Sequence, residues 1–378
     1  AGHRRRRLHR REPGCPLPVP AYSLTMVAQL EMVSPRKVLW HREKVADFLA
    51  DRPIFPATLE LGITTACDRS CPDCPSRLGQ PGLYLSMETA ERLFALCRGR
   101  TFGVIFSGGE PTLHPGFGRL LAKARENDFR DVVVISNGSR LDREEVTGPL
   151  LSHATAVRVS LYDWREDAPP GRSPTLERIG RLRAAIEKAG SPLQVGVSLL
   201  TQGVSHERIG LAAAAVRAAG AHWLYLHPTC VSTPSGPGQN KGQELLMAAL
   251  ESCSREQAPG FAVHYLKQRF STAPVAFQGY HAAHFVMVVG ADGVNYLSSE
   301  TKYQPSCRIA TEADYEDNDF FSDPVRRARI AAVHADDYPA GGGRNRGVFY
   351  SQVLEEARQS GAETGATAVP DFLMPHIL

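Results

Sequence analysis

The chain has 378 residues, 43% hydrophobic and 22% charged, enough to bury one barrel-sized core with a smaller addition. Its formal charge is only +3, and Arg4 to Arg7, Arg10 and Arg11 supply six positive charges, so the remainder is near neutral or slightly acidic and nucleic acid is not an expected partner. No uninterrupted apolar stretch approaches membrane-spanning length, and the first residues lack the apolar core of a secretory signal, so a reducing, cytoplasmic setting without a membrane partner is expected.

Residues 1–25 are rich in Arg, Pro and Gly without periodicity, the composition of a disordered leader ahead of a start at Met26. Upstream-translated sequence is the favoured reading of this stretch, a basic nucleic-acid arm and a transit peptide are the others, and no function is assigned to Cys15. Residues 26–54 form an N-terminal helical segment, with a charged helix from about Arg36 to Ala50. Short apolar runs then alternate with helical periodicity. Strands are predicted at Leu59–Thr64, Gly103–Phe106, Val132–Ile135, Val157–Leu161, Leu193–Leu200 and Trp223–Leu226. Helices are predicted over Ser86–Cys97, capped by Ser86, then over Leu176–Ala189, and over Ile209–Ala219 with Gly220 as its stop. Strands alternating with helices imply parallel pairing and right-handed crossovers. Six such units over residues 55–232 suit an α/β fold of the partial (β/α)6, TIM-like barrel type, although a doubly wound sheet shares the pattern. Residues 233–378 read as a small α+β extension.

The first strand opens onto Cys67-x3-Cys71-x2-Cys74, directly after the β-branched run Ala57 to Ala66. Three thiolates are one short of a closed four-cysteine site, so a four-iron cluster on them would keep one iron open. Structural zinc would need a fourth ligand, and the next histidine after the triplet is His114. A disulfide framework fits poorly with 8 scattered Cys in 378 residues. The second strand ends in Ser107-Gly108-Gly109-Glu110-Pro111, bare backbone beside a carboxylate. In α/β barrels chemistry gathers at the carboxyl ends of strands. There the chain places Ser136-Asn137-Gly138, then Ser160, Tyr162 and Asp163, then Ser198 and Thr201, then His227 and Cys230. One such residue is usually a turn former, but six successive polar strand ends suggest a site.

From Phe55 to Cys230 the cysteine triplet and the Gly-Gly-Glu turn resemble those of the radical S-adenosylmethionine (SAM) enzymes. The resemblance implies that Cys67, Cys71 and Cys74 ligate a [4Fe–4S] cluster whose fourth iron chelates the methionine portion of SAM. It also implies that Gly108, Gly109 and Glu110 contact the SAM amino group, that Ser136, Asn137 and Ser160 contact its carboxylate or ribose, and that Ser198 and Leu199 lie near its adenine. Asp73 departs from the pattern, because an aromatic residue is usual just before the third cysteine.

His284 to Tyr296 carries a strand, an Asp292-Gly293 turn and a second strand, and resembles the start of the SPASM or twitch extension found on many radical SAM enzymes. In Pro339 to Gly347, glycines stand where the cysteines of that extension are usual. Cys230, Cys253 and Cys307 are widely spaced, so a degenerate extension without an auxiliary cluster is expected, acting as a pocket lid. Cys230 is either a buried small hydrophobe or a hydrogen-atom donor, while Cys97 and Cys253 read as helix-face core residues. His227, Tyr280, His281, His284, Asp163 and Glu300 are weaker candidates for a polar pocket. By resemblance, the substrate is a small polar molecule, a sugar, aminocyclitol or nucleoside in antibiotic biosynthesis, undergoing epimerisation, dehydrogenation or deoxygenation. A peptide maturase and a non-catalytic metal clip are the alternatives. A flavodoxin- or ferredoxin-type electron donor is implied, and the oligomeric state is left open.

Overall fold

The computed structural model describes residues 33–71, 74, 79–164, 173–228, 240–271, 276–316, 320–333, 345–360, 374 and 376–378. The Arg-rich leader, Asp73, Cys230 and residues 339–344 of the glycine-rich segment lie outside the described residues.

After a 3-10 turn at Pro35–Trp40, helix α1 (Arg42–Leu49) leads into strand β1 (Thr58–Thr64). Helix α2 (Met87–Cys97) then precedes β2 (Gly103–Gly108), α3 (Phe117–Glu126) precedes β3 (Asp131–Ser136), and α4 (Glu144–His153) precedes β4 (Ala156–Ser160). The alternation continues through α5 (Pro174–Ala189), β5 (Gln194–Leu200), α6 (His206–Ala218), β6 (Trp223–His227), α7 (Asn240–Ser254) and β7 (Ala262–Tyr265). The helix starts follow local chemistry. Ser86 accepts a hydrogen bond from Thr89 N, Ser173 from Leu176 N and Ser205 from Arg208 N, each satisfying a donor that the first turn leaves unpaired.

Strands β1 to β7 pair in parallel in chain order, one more than the periodicity indicated, because β7 (AVHY) is too short to stand out as a run. A turn of helix, α8 (Ala282–Phe285), then feeds β8 (Val286–Val289) onto the free edge of β1, also in parallel, with Thr58 opposite Val286 and Leu61 opposite Val289. The predicted hairpin follows: Gly293, at φ 73°, turns the chain into β9 (Asn295–Tyr296), antiparallel to β8, and β10 (Arg308–Ala310) completes the sheet. The segment at the start of the expected extension thus joins the same sheet as the cysteine-bearing strand. Helices α9 (Pro324–Ala331) and α10 (Arg346–Ser360) follow.

Alternation along the strands separates two environments. Leu59, Leu61, Val104, Phe106, Val132, Val134, Val157, Val159, Val195 and Val197 pack outward against Leu93, Phe94, Leu120, Ile179, Leu182 and Ile209 of the helices. The inward face is apolar towards its base, where Ile105, Val133, Ala156, Trp223 and Tyr225 cluster. Towards the strand ends it turns polar, and residues of β1 through β6 and of β8 line one common cavity, so the sheet curls around it. No described helix is long and apolar enough to cross a membrane.

Candidate active site at the strand ends

Two clamps hold the root of the cysteine loop. On one side the returning chain pairs with it: Thr65 N donates to Leu83 O at 3.0 Å, Leu83 N donates to Thr65 Oγ1 at 2.9 Å, and Thr64 Oγ1 donates to Leu83 O at 2.8 Å. On the other side the end of β2 presses against it, with Gly109 N donating to Thr64 O at 2.6 Å and Glu110 N to Ala66 O at 2.8 Å. This approach requires glycine. A Cβ on Gly108, whose φ is 138°, would lie 2.3 Å from Thr64 O, and one on Gly109 would lie 2.3 Å from Ala66 O.

The carboxylate of Glu110 does not face the cavity, contrary to its expected side-chain contact with SAM. It is fully buried and accepts hydrogen bonds from Thr112 N at 3.2 Å, Thr112 Oγ1 at 2.6 Å, Ser136 Oγ at 2.9 Å and Asn137 N at 2.7 Å. Burial raises its pKa, with these hydrogen bonds acting against the rise. The physical reason is position: the 3-10 turn at Pro111–Leu113 starts at Glu110, and its side chain caps that turn while bracing the end of β3. Ser136 Oγ is committed likewise, donating to Glu110 and accepting from Gly138 N at 3.0 Å.

Asn137 reaches back to the cysteine loop. Its Nδ2 donates to Asp68 Oδ1 at 2.6 Å and lies 3.8 Å from Cys67 Sγ, while its Oδ1 accepts from Ser139 N at 2.9 Å. Arg69 N donates to Cys67 Sγ at 3.4 Å, and the Arg69 guanidinium lies 5.6 Å from the centre of the Tyr162 ring. Burial, then the neighbouring Cys71, pushes the Tyr162 hydroxyl up to about 12.

Cys67, Cys71 and Cys74 line one cavity of about 310 Å³ with Gly108, Gly109, Ser136, Asn137, Ser160 and Tyr162. Among the described residues, no three His, Cys, Asp or Glu side chains already converge as a metal site. The donor set nonetheless fits a [4Fe–4S] cluster: three thiols share one cavity, the carboxylate of the Gly-Gly-Glu turn points elsewhere, and the remaining walls, which include Ser107, Ser136, Asn137 and Arg69, bring no competing acidic ligand. His114 is unsuited as a fourth zinc ligand, because Nε2 pairs with Leu85 O at 3.0 Å and Nδ1 accepts from Gly116 N at 2.9 Å.

This cavity adjoins a larger one of about 730 Å³, whose lining shares Cys71, Cys74, Ser107, Gly108, Ser160 and Tyr162 with it. Ser198, His227, Tyr280 and Glu300 also line the larger cavity. Leu199 does not. It is 1% exposed and packs in the outward core, since neighbouring residues of a strand point to opposite faces. Asp163 accepts from Ser173 Oγ and Thr175 N at the start of α5 and serves as a helix-end support. His281 and His284 pack against Phe48 outside the cavity lining.

Sequence reasoning passed over the buried charges of the larger cavity. Lys302 Nζ lies 3.3 Å from both Glu60 Oε1 and Ser107 Oγ, and Ser107 Oγ donates to Glu60 Oε1 at 2.9 Å. Burial alone would raise the Glu60 pKa and lower that of Lys302, but the two charges reverse both shifts, so the pair is ionised. Arg158, Arg269 and Arg346 line the same cavity. The available signal was a charge within a buried strand, Glu60 in TLELGIT and Arg158 in AVRVS.

Residues 61–209 match the family model described as Radical SAM superfamily. The fold is similar to that of SuiB from Streptococcus suis bound to precursor peptide SuiA, at 14% identity and a TM-score of 0.59 over 77% of this chain and 70% of that one. SuiB bound to S-adenosylmethionine gives 15% identity and a TM-score of 0.58, covering 76% and 71%. A third similar structure is anSMEcpe with bound AdoMet, at 13% identity and a TM-score of 0.53, covering 85% of this chain and 98% of that one. The match spans the cysteine loop, the Gly-Gly-Glu turn and the first five strands, so residues 61–209 carry a radical SAM domain, and the similar structures share its fold.

Proposed function

We propose that the protein abstracts a hydrogen atom from a carbon of a small polar substrate of the sugar, aminocyclitol or nucleoside class, leading to epimerisation, dehydrogenation or deoxygenation in antibiotic or related natural-product biosynthesis. The observation that carries this reading is one cavity of about 730 Å³ that runs from Cys71 and Cys74 to the buried Glu60–Lys302 pair. Its volume suits a small-molecule ligand.

Cys67, Cys71 and Cys74 would hold the cluster, while the backbone of Gly108 and Gly109 with Asn137 and Ser160 would hold the methionine and ribose portions of SAM. Bound there, the two cofactors would supply a 5′-deoxyadenosyl radical by one-electron cleavage of SAM, the electron coming from a flavodoxin- or ferredoxin-type donor in a reducing cytoplasm. The chain's own task is placement. Glu60, Ser107, Ser299 and Lys302 form a hydrogen-bonded array suited to substrate hydroxyls, with Ser299 Oγ donating to Glu60 Oε2. Ile135, Leu200, Val286 and Val288 line the same cavity and exclude water from the reacting carbon. Tyr162, on the wall shared by both cavities, keeps its proton at neutral pH and stands between cofactor and substrate.

Anaerobically reconstituted protein should form 5′-deoxyadenosine from SAM at a rate that a sugar or nucleoside panel increases, with deuterium passing from labelled substrate into it. A peptide substrate is the second reading, since the structures of SuiB include one with its precursor peptide. Stimulation by peptides with none by the small-molecule panel would replace the first reading with the second.

A further inference from the structure

Three arginines enter the larger cavity from elements far apart in the chain: Arg158 from the middle of β4, Arg269 from the 3-10 turn Lys267–Phe270, and Arg346 from the start of α10. We propose that together they seat an anionic oxygen group of the substrate, a carboxylate or a phosphate. The proposal rests on this cavity being the substrate cavity, and adds to it the charge the substrate must carry.

Arg158 makes no hydrogen bond or ion pair with any described residue, and its buried Nε has no partner. Arg346 donates from Nη2 to Tyr350 Oη, and its Nε is also buried without a partner. Arg269, 4% exposed, donates from Nη1 to Tyr225 Oη. These two contacts are to phenol oxygens, and the buried Nε atoms of Arg158 and Arg346 are left without acceptors. The lining holds two carboxylates, Glu60, engaged by Lys302, Ser107 and Ser299, and Glu300, which accepts from Asn345 Nδ2 and faces the charge of Arg269, so they are outnumbered by Lys302 and the three arginines. His227 stacks on Tyr225 at 4.8 Å and is held neutral by burial and by these same arginines.

A buried guanidinium without a counter-charge is unfavourable for the folded protein. Its planar fork of N–H donors matches the oxygens of a carboxylate or phosphate, and a ligand bearing one would supply both the missing charge and the missing acceptors. Depth gives the substrate an orientation. Arg158 lies two residues before Ser160 on the same inward face, about 7 Å deeper into the barrel at ordinary strand rise. The anionic end is therefore held low, and the carbon to be attacked faces the cysteine rim. Within the proposed substrate class this selects acidic or phosphorylated molecules and disfavours a cationic aminocyclitol.

The test is calorimetric titration of the reconstituted, SAM-loaded protein with inorganic phosphate and, separately, acetate, using wild type, Arg158→Gln, Arg158→Lys and Arg346→Gln. Iron content and SAM affinity are measured on the same samples, so a failure of the cofactor site is seen independently of the anion result. Expected is saturable binding of at least one anion, weakened tenfold or more in Arg158→Gln and Arg346→Gln, with iron and SAM binding unchanged. Preference for phosphate or for acetate identifies the group. Arg158→Lys keeps the charge without the fork and should lie between wild type and Arg158→Gln. Without anion, Arg158→Gln should melt at or above the wild-type temperature, because it removes an uncompensated buried charge; a purely structural arginine would give a lower Tm. No saturable binding of either anion to wild type, undiminished binding in both Gln variants, or a markedly lowered Tm in Arg158→Gln would overturn the proposal.

Discussion

Cys67 is exposed and Cys71 only partly buried, so these thiols contribute little to packing. Cys71→Ala is therefore expected to abolish iron binding and 5′-deoxyadenosine formation, while the metal-free stability stays within about 0.5 kcal/mol of wild type in urea denaturation. Glu110 behaves in the opposite way. Removing a carboxylate that accepts four hydrogen bonds leaves buried donors unsatisfied, so Glu110→Ala should lose about 3 kcal/mol or more, and Glu110→Gln less. Denaturation midpoints of the two variants would check this, and a stable Glu110→Ala variant with weak SAM affinity would restore a direct contact. At the base of β3, burial raises the Asp131 carboxyl to about 6, with His376 N donating to it at 2.9 Å and acting against the rise. A raised carboxyl stabilises the fold below its unfolded pKa near 3.8, and that contribution fades as pH rises through about 6. At 8% exposure the effect amounts to at most about 3 kcal/mol. The stability difference between wild type and Asp131→Asn, followed by urea denaturation from pH 4 to 7, should shift in favour of the variant as pH rises.

The junction of β1 and β2 decides whether the three thiols share a cavity. Because Gly109 passes so close to Ala66 O, Gly109→Ala should force the Gly-Gly-Glu turn off the cysteine loop. The expected cost is about 1–3 kcal/mol, with a matching loss of iron retained after desalting. Full iron retention with wild-type stability would show that the junction tolerates a side chain. Strand alternation governs the other assignments at this scale. Ser198 faces the cavity and Leu199 the helices, although the resemblance implies that both lie near the adenine. At the start of α10, a Cβ on Gly347 would lie 1.9 Å from Tyr280 Oη, so this end of the glycine-rich segment has no room for a cysteine.

At the scale of the whole molecule, among the described residues Cys253 and Cys307 lie far apart. Cys253 donates to Ile209 O between α7 and α6, towards the β7 end of the sheet, whereas Cys307 is buried beside β10 at the opposite end. Reconstitution should therefore yield about four irons per chain, and about eight would require a second cluster. Much of this was legible in the sequence. The six alternating units, the Ser86 cap, the cysteine triplet and the Asp292-Gly293 turn are local signals, because hydrophobic period, capping side chains and turn residues act over a few neighbouring positions. Only the tertiary structure decided the rest. The return of β8 to the edge of β1, the bracing of β3 by the Glu110 carboxylate and the meeting of Arg158, Arg269 and Arg346 join positions tens to hundreds of residues apart. No local pattern encodes such meetings, because they follow from the curl of the sheet and from which strand face turns into it.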